Sequence, residues 1–447
     1  MKIMKRIMNN PLINILILLG FSTPFFAQQK QANAYNLSLK EAVTLAKENN
    51  KTVQVSAIEQ RATQADYNDA KNTMLPTLGI GGTYQRFSKA TLYDHGFNES
   101  TQVSRQPGPD GANLGVDLAF NIYSGGKTKS VIEESSYRNA LAAINSKDQG
   151  GNIALQTAAQ YLDLIRLYHF RQLIKDQEKR AEARLKNITS FYKNQRVTKS
   201  DLLRAELTLS NVLLNKTQNE NDIEIGNKKL GILVNVADRQ QFYLTDTLLT
   251  TRLKEIVFSE KSSDVNNSYQ LQKADMNLKI QSSRIKNLQS NYYPSLSLIS
   301  AYGFNYPNYL FFKPIDQAYS AGFVGVKMNY SISSLYQNKN KVKAAKQRLD
   351  AIELQKDWIK DNVQDDITAL NIKYGEALNR IEVTDKSIEQ ARVNFEIINT
   401  KYLNQLSLLT DLLDADNLYQ ESRYTFVNAQ ITALIIYYKL QYTTGNL

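Results

Sequence analysis

The sequence predicts a mainly α-helical fold with a small β part, built from an internal structural duplication. Three observations support this prediction. Two long stretches, residues 127 to 193 and 337 to 402, contain none of the chain's 8 prolines, as long helices require. Four short segments alternate apolar residues with small or polar ones, which is the period of a β-strand. Short motifs of the first half recur in the same order in the second half, which indicates duplicated architecture.

The N-terminus has the pattern of a secretory signal peptide. Lys2, Lys5 and Arg6 form a basic segment, and residues 12 to 21 form an apolar segment of about ten residues. An uncleaved membrane anchor would need about 20 apolar residues, and Pro11, Asn14 and Pro24 prevent a run of that length. We therefore expect residues 1 to 27 to be removed, so the three basic residues lower the formal charge from +11 to +8. The sequence predicts an exported protein.

Composition excludes several classes of chemistry. The 447 residues contain no cysteine, which excludes disulfides, thiolate metal ligands and a lipidated N-terminal cysteine. With only His95 and His169, most metal and general-base arrangements are excluded as well. Basic and acidic residues are interleaved, as in residues 175 to 180, which is typical of a solvated helix face. We expect no enzyme activity, no catalytic, cofactor-binding or metal site, and no nucleic-acid partner.

The first half is predicted to contain a helix, two strands and two further helices. Ser38 and Glu41 form a capping box that begins a helix, which continues to about Thr73 and is ended by Pro76. The strands have about ten residues each, the length that crosses a membrane at a tilt. The first long helix spans about 100 Å at 1.5 Å per residue. The predicted strands are residues 77 to 87 and 114 to 123, the loop between them is residues 88 to 113, and the long helix is residues 127 to 193.

The second half repeats this order. Residues 292 to 296 correspond to residues 74 to 78 at an offset of 218, and residues 410 to 415 correspond to residues 200 to 205 at an offset of 210. Pro294 ends the first helix of this half, as Pro76 ends that of the first half. The predicted elements are a helix at residues 266 to 291, strands at residues 295 to 305 and 323 to 332, and a long helix at residues 337 to 402.

The last helix of each half carries apolar and small residues that alternate steps of three and four. This seam predicts side-by-side packing of the coiled-coil type, and its small members suit a wall that is packed on two sides. We divide the chain into two repeats, residues 28 to 235 and 266 to 447, joined by an equatorial linker at residues 236 to 265. The seams are Leu202, Ala205, Leu209, Val212, Lys216, Asn219, Ile223, Gly226, Leu230 and Leu233, and Leu412, Ala415, Tyr419, Ser422, Phe426, Ala429, Ala433, Ile436, Leu440 and Thr443.

Four strands in lipid must be closed by other copies of the chain, because an open edge leaves backbone groups without partners. Aromatic residues such as Tyr84, Tyr302 and Tyr330 cluster in or beside the strands, as at membrane interfaces. Two chains would give eight strands, which side chains fill, whereas three chains would give twelve and leave a passage. The long helices would then continue the wall as a tube. The residues alone thus indicate a duct.

Short motifs recur in a fixed order over nearly all of the mature chain: Leu37-Ser38-Leu39-Lys40-Glu41-Ala42, Leu75-Pro76, Tyr123-Ser124-Gly125-Gly126, the turn at residues 198 to 202, Tyr293-Pro294 and the turn at residues 409 to 415. In this order they resemble the TolC family of outer-membrane efflux proteins, the outer-membrane factors. The resemblance implies a homotrimer in the outer membrane of a Gram-negative bacterium, with a 12-stranded transmembrane β-barrel in outer-membrane lipid continued by a periplasmic α-helical barrel. It also implies a periplasmic adaptor protein and an inner-membrane RND or ABC-type transporter as partners, in tripartite efflux or type I secretion.

The resemblance places functional residues at the periplasmic mouth. A family aspartate pair that faces the lumen at its constriction matches Asp411 and Asp414. Their spacing puts both on one helix face, and three chains would form a ring of six carboxylates that favours cations. The alternative is a solvated helix start, where acids suit the helix dipole.

Family gate contacts and docking tips also have counterparts. Asp201 and Tyr402 occupy two gate positions, and Ser407 stands where the family has arginine, so that contact is missing or is replaced by Arg196, Lys199 or Arg204. The family usually has glycine in both tip turns, which dock the adaptor. Asparagine tolerates the left-handed conformation that these turns need. The residues at the tips are Asn194, Gln195, Asn404 and Gln405.

One alternative function remains, and an enzyme finds little support. An exported coiled-coil scaffold or adhesin would explain the heptads but not the paired strand hairpins. Gly126-Lys127-Thr128 is similar to the end of a phosphate-binding loop, but Asn121 stands where its first glycine belongs. Cell fractionation separates the duct from the scaffold, because only the duct is expected in the outer membrane as a trimer.

Overall fold

A computed structural model describes residues 35–88, 90–93, 96–103, 109–236, 242–246, 265–308 and 316–447. The predicted signal peptide, His95 and most of the predicted linker lie outside these residues. The described chain is mainly helical with a small sheet part, which confirms the predicted fold class.

The first predicted helix is in fact two helices. Helix α1 (Leu39–Asn49) begins with the predicted capping box, in which the Ser38 hydroxyl accepts from the Glu41 amide and the Glu41 carboxylate accepts from the Ser38 amide. Asn50 has an extended backbone and begins α2 (Lys51–Asn72) by accepting a hydrogen bond from the Thr52 amide. Its side chain also donates to the Leu233 carbonyl. The prediction of one continuous helix is wrong, because Asn50 satisfies the amides at a new helix start.

Four antiparallel strands form one sheet, in the order β2, β5, β7, β8. The central pair, β5 and β7, joins the two halves of the chain. A small hairpin of β3 and β4 lies in the connection between β2 and β5, and a short parallel pair of β1 and β6 lies apart from the main sheet. The strands are β1 (Tyr35–Leu37), β2 (Thr77–Arg86), β3 (Ala90–Tyr93), β4 (Ser100–Val103), β5 (Asp110–Tyr123), β6 (Phe242–Leu244), β7 (Ser295–Tyr306) and β8 (Tyr319–Asn329).

Two strands differ from their predicted bounds by more than one residue. Strand β5 begins at Asp110 rather than at residue 114, because residues 110 to 113 pair with the end of β2. Strand β8 begins and ends earlier than predicted, and the next helical turn begins at Ser334. The apolar alternation continues to Ile332, but backbone pairing stops at Asn329.

The sheet has one apolar face. Register places Ile80 opposite Val116 and Val116 opposite Tyr302, so these side chains share a face. The same face is exposed in the single chain; Ile80, for example, is 77% exposed. An apolar surface of this extent marks contact with a membrane or another protein. The exposed members of this face are Leu78, Ile80, Tyr84, Leu114, Val116, Tyr302, Phe304, Val324, Val326 and Met328.

The long helices form a wall that continues from the sheet. Near the sheet, α3 packs against α2 and α5, and α7 packs against α5. Farther away, α3 packs against α4 and α8, and α8 packs against α7. Within the described ranges, none of the helices combines the length and the apolar character needed to cross a membrane. These helices are α3 (Lys127–Lys193), α4 (Lys199–Val234), α5 (Tyr269–Ser290), α6 (Ser334–Gln337), α7 (Lys339–Leu403) and α8 (Leu409–Thr443), and a 3-10 turn spans Val265–Asn267.

Both predicted seams are largely buried. Gly226 is required within the first seam, because a Cβ atom there would lie 2.7 Å from a methyl carbon of Leu164. Small seam members therefore allow α4 to approach α3 closely. The buried members are Ala205, Val212, Asn219, Ile223, Gly226 and Leu230 in α4, and Leu412, Ala415, Ala429, Ala433 and Leu440 in α8.

The two edges of the helical wall carry exposed apolar residues. On α7 they lie on the side opposite the buried Val363 and Ile367. On the other edge they lie along α4. The exposed residues are Leu354, Trp358, Ile372, Val383, Val393 and Ile397 in α7, and Leu203, Leu207, Leu214, Ile225 and Ile232 in α4.

Candidate functional site

The two helix pairs end in the same kind of turn at the end of the wall far from the sheet. After α3, the Arg196 amide donates to the Phe191 carbonyl at 2.8 Å and the Gln195 amide to the Tyr192 carbonyl at 2.9 Å. After α7, residues 405 and 406 repeat both bonds at the same two distances. This pattern is a Schellman motif, which satisfies the last carbonyls of a helix.

Glutamine, not asparagine, takes the left-handed position in both turns. Gln195 has a φ of 60° and Gln405 has a φ of 63°. The side chains of Asn194 and Asn404 instead donate to carbonyls in the last helical turn, those of Ser190 and Thr400, each at 2.9 Å. The expectation that asparagine supplies the left-handed residue is therefore wrong, because its amide is used one position earlier, at the helix cap.

The carboxylates of two predicted site residues accept hydrogen bonds at the starts of helices. The Asp201 carboxylate accepts from the Thr198 amide at 3.0 Å and from its hydroxyl at 2.7 Å. The Asp411 carboxylate accepts from the Leu408 amide at 3.1 Å and from the Ser407 hydroxyl at 2.8 Å. Each carboxylate thus satisfies amides at a helix start and faces the positive end of the helix dipole.

Asp414 differs from Asp411 in its surroundings. Both are exposed and lie on one face of α8. Among the residues that the structure describes, Asp414 makes no hydrogen bond or ion pair, so its charge is available to solutes. That both aspartates line a lumen stays a prediction.

Tyr402 lies in the apolar core beneath the two turns. Its hydroxyl is buried and has no hydrogen-bond partner in the described part of the chain. Burial raises the pKa of Tyr402, and the negative charge of Asp201 raises it further, while Arg184 opposes the shift. Asp201 and Tyr402 are therefore electrostatic neighbours, but the Asp201 carboxylate is hydrogen-bonded to Thr198. The predicted gate contact between them stays a prediction, and Arg196, Lys199 and Arg204 make no ion pair within the described ranges.

A buried ion cluster above the turns was not anticipated from the sequence. One Asp416 oxygen accepts from Arg184 at 2.6 Å, and the other accepts from Arg180 at 3.0 Å. The Asp416 and Arg184 side chains are 5% and 7% exposed. We call Arg180, Arg184 and Asp416 the clamp, because it ties α3 to α8. Its members are 232 and 236 residues apart along the chain, so no local pattern brings them together.

Neighbouring side chains support the clamp. Gln420 accepts from Arg180 at 3.0 Å and donates to the Leu173 carbonyl at 2.9 Å. The Arg180 guanidinium also lies 5.7 Å from the ring centre of Phe395, which stacks on Tyr419. Since Phe395 belongs to α7, these contacts join three helices.

An apolar cluster lies beside the clamp and draws on all four helices at the mouth. Its buried members hold the two turns in a fixed relation, so the mouth is a packed structural unit. They are Ile188, Ala205, Tyr402, Leu409 and Leu412.

The described residues contain no group of three or more acidic or histidine side chains placed to hold a metal ion. His169 lies half-buried on α3, and burial lowers its pKa. The arrangement at the mouth holds helices together and presents carboxylates.

Comparisons with known proteins agree with this architecture. No family model matches the chain. The outer membrane protein TolC of Salmonella enteritidis is 19% identical over 438 residues, which cover 96% of this chain and 86% of that protein. TolC of Escherichia coli K12 is 19% identical over 441 residues, with the same coverage of both chains.

Solved structures share the fold. The outer membrane protein VceC of Vibrio cholerae has a TM-score of 0.77 at 16% identity, covering 91% of this chain and 96% of that one. The channel protein CusC has a TM-score of 0.78 at 12% identity, covering 95% and 96%. The CmeC outer membrane channel of Campylobacter jejuni has a TM-score of 0.73 at 16% identity, covering 91% and 85%.

The sheet, the long helical wall and the paired turns define the fold of an outer-membrane channel protein. The two sequence relatives, both named outer membrane protein TolC, support the predicted TolC-family outer-membrane factor. Its location is the outer membrane. These findings confirm the predicted family and location.

Proposed function

We propose that three copies of this chain form an exit duct across the outer membrane. The observation that carries this proposal is the apolar, exposed face of a four-stranded sheet whose edge strands, β2 and β8, each leave one edge unpaired among the described strands. Such a sheet is stable in lipid only when neighbouring copies pair with its edges. Three copies give twelve strands, enough for an open passage.

The edges of the helical wall support the same assembly. The apolar stripe of α7 lies on one edge and that of α4 on the other. If α7 of each copy packs against α2 of the next copy near the sheet and against its α4 farther away, both stripes are buried and the wall closes into a periplasmic tube. Burying apolar area contributes roughly 25 cal/mol per Å².

Internal duplication explains the symmetry within one copy. The proposed repeats, residues 28 to 235 and 266 to 447, each contribute two strands to the main sheet, one helix longer than 60 residues and one returning helix. The equivalent Schellman turns support this division, since both tips use the same hydrogen bonds. Residues 236 to 265 form the proposed linker, and β6 falls within it.

The tips are the proposed docking surface for a periplasmic adaptor, which would connect the duct to an inner-membrane RND or ABC-type transporter. Asn194 and Gln195 form a polar first tip. At the second tip, Asn404 and Gln405 are followed by Leu406, which is 76% exposed. An exposed leucine beside a rigid turn offers an apolar contact for a partner.

Crosslinking can test the docking proposal. Because the chain has no cysteine, an introduced cysteine is its single site for a thiol reagent. Gln405→Cys, carrying a photoactivatable thiol reagent, is expected to capture the adaptor and its transporter in intact cells. Glu389→Cys, on the exposed side of α7, is the matched control and should capture neither. Equal capture at both positions, or none at Gln405, would contradict docking at the tip.

Fractionation and conductance test the duct itself. The mature protein should sediment with outer membranes and open ion-conducting channels in planar bilayers. A protein that is found in outer membranes but conducts no current would favour the scaffold or adhesin interpretation.

A further inference from the structure

The two long helices, α3 and α7, are strongly basic where they begin, at the end of the helical wall nearest the sheet. The first turns of α3 and α7 carry seven basic side chains before the first acidic residues, Glu133 and Asp350. Within the described part of the chain, none of the seven forms an ion pair, although Arg138, Arg284 and Lys286 slightly farther along do. Uncompensated positive charge at one level attracts anions. The seven are Lys127, Lys129, Lys339, Lys341, Lys343, Lys346 and Arg348.

Two of these lysines share a groove. Lys127 from α3 and Lys341 from α7 line a groove of about 640 Å³ between the helix starts and the strand ends. Its remaining lining is uncharged and rich in hydroxyl and amide groups, with no carboxylate among the described residues. We call this feature the junction groove. Its other polar lining includes Ser124, Tyr293, Tyr330, Ser331, Ser334 and Gln337.

Register places the junction groove on the polar side of the sheet. Ser295 and Asn329 are direct partners and line the groove. The next pair along the same strands, Leu296 and Met328, points to the opposite, apolar face. If the apolar face contacts lipid, the groove opens into the lumen. This step rests on the proposed duct.

The local backbone adds to the positive potential. Helix α3 begins directly after Gly125 and Gly126, both of which have positive φ. Its first residue is Lys127, and the cap residue, Gly126, has no side chain; the neutral Ser124 hydroxyl accepts from the Thr128 amide instead. The partial positive charge of a helix N-terminus therefore lies beside an ammonium group.

We propose that the junction groove is a binding site for multivalent oxyanions, solutes with several carboxylate or phosphate oxygens, in transit through the duct. Two ammonium groups and surrounding hydroxyl and amide donors match such oxygens, because charge-assisted hydrogen bonds are the strong ones. Three copies would place six such lysines around one level of the lumen. The duct would then concentrate anionic cargo at the end nearer the membrane, while Asp411 and Asp414 carry negative charge at the other end.

The same helix provides a matched control. At 100° per residue, Lys339 and Lys343 lie on a different side of α7 from Lys341. Lys341 lines the groove, whereas Lys339 and Lys343 are not among its lining residues. The pair Lys127→Gln and Lys341→Gln and the pair Lys339→Gln and Lys343→Gln remove equal charge.

The probe is inorganic pyrophosphate, measured by calorimetry on the detergent-solubilised assembly at low ionic strength. Wild-type protein and the control pair should bind it, whereas the groove pair should bind about tenfold more weakly or not at all. Lys341→Arg, which keeps the charge, should retain binding and excludes a folding defect as the cause.

Equal binding by the groove pair and wild type would overturn the proposal. So would an equal loss in the control pair, which would indicate general screening, or a loss confined to the control pair, which would place the site on the outer surface. Calorimetry needs no conduction, so a protein that binds pyrophosphate but carries no current would contradict the duct and not the site.

Discussion

At the residue scale, the clamp is the main concentration of buried charge near the mouth. Asp416 receives bonds from two arginines at once, and Arg184 is as deeply buried as Asp416 itself. Burial removes hydration from all three groups, and only close, well-formed bonds offset that cost. Removing one partner therefore costs more than the pair contributes.

We expect Asp416→Ala to destabilise the chain by roughly 3 to 5 kcal/mol, because two arginines lose their carboxylate in a buried setting. Denaturant unfolding of the detergent-solubilised protein measures the effect. Glu382→Ala, which breaks the exposed pair with Lys386, is the control and should change stability little. If both variants unfold alike, the Asp416 site is hydrated and the clamp is not a buried pair.

Substitutions can distinguish the roles of Asp411 and Asp414 at the second turn. Asp411 caps α8, whereas Asp414 makes no bond within the described ranges, so Asp414→Lys alters charge with little effect on the turn. If Asp414 lines the lumen, this variant should reduce the cation selectivity of single channels, measured as the reversal potential across a salt gradient in planar bilayers. Asp350→Lys, near the sheet end of α7, is the comparison. Unchanged selectivity in Asp414→Lys would remove this residue from the lumen.

At the element scale, the sequence predicts most helices well because their signals are local. The bounds of α3 match the prediction, and α7 differs by two residues at its start and one at its end. The break at Asn50 was missed because its partner, Leu233, lies 183 residues away. The end of β8 was missed because apolar alternation continues beyond the last paired residue.

The site was less predictable than the fold. The order of the motifs in the sequence predicts which residues lie in the turns, but it does not predict which hydrogen bonds their side chains make. Asp201 and Asp411 act as helix caps, a role that the spacing of Thr198 and Asp201 could have indicated. The clamp depends on the register between α3 and α8, which only the assembled helices reveal.

The two faces of the sheet should respond oppositely to charge. Val326 lies on the apolar face, so Val326→Lys should cost roughly 2 to 4 kcal/mol if that face contacts the centre of the bilayer. Ala301 lies on the other face, opposite Asp117 in the register, and Ala301→Lys is the control. The measurement is the fraction of protein recovered as folded assembly in outer membranes. Equal recovery of both variants would contradict a lipid-facing apolar surface.

At the scale of the whole molecule, the single tryptophan reports assembly. Trp358 is 65% exposed in one copy and lies on the α7 stripe that would face a neighbour. Assembly should bury it, so its fluorescence emission should shift to shorter wavelength when dissociated chains associate. Ile372→Asp, on the same stripe, should prevent both the association and the shift. An emission maximum that is identical in dissociated and associated protein would place Trp358 outside the interface.

The mass of the assembly tests most directly the central claim that three copies form the duct. One copy contributes four strands and leaves two edges of the sheet and two edges of the helical wall open. Native mass spectrometry of the mature protein, released from outer membranes in mild detergent, should give three times the mass of one chain. A stable monomer, or a dimer whose eight strands would leave an interior filled by side chains, would contradict the duct.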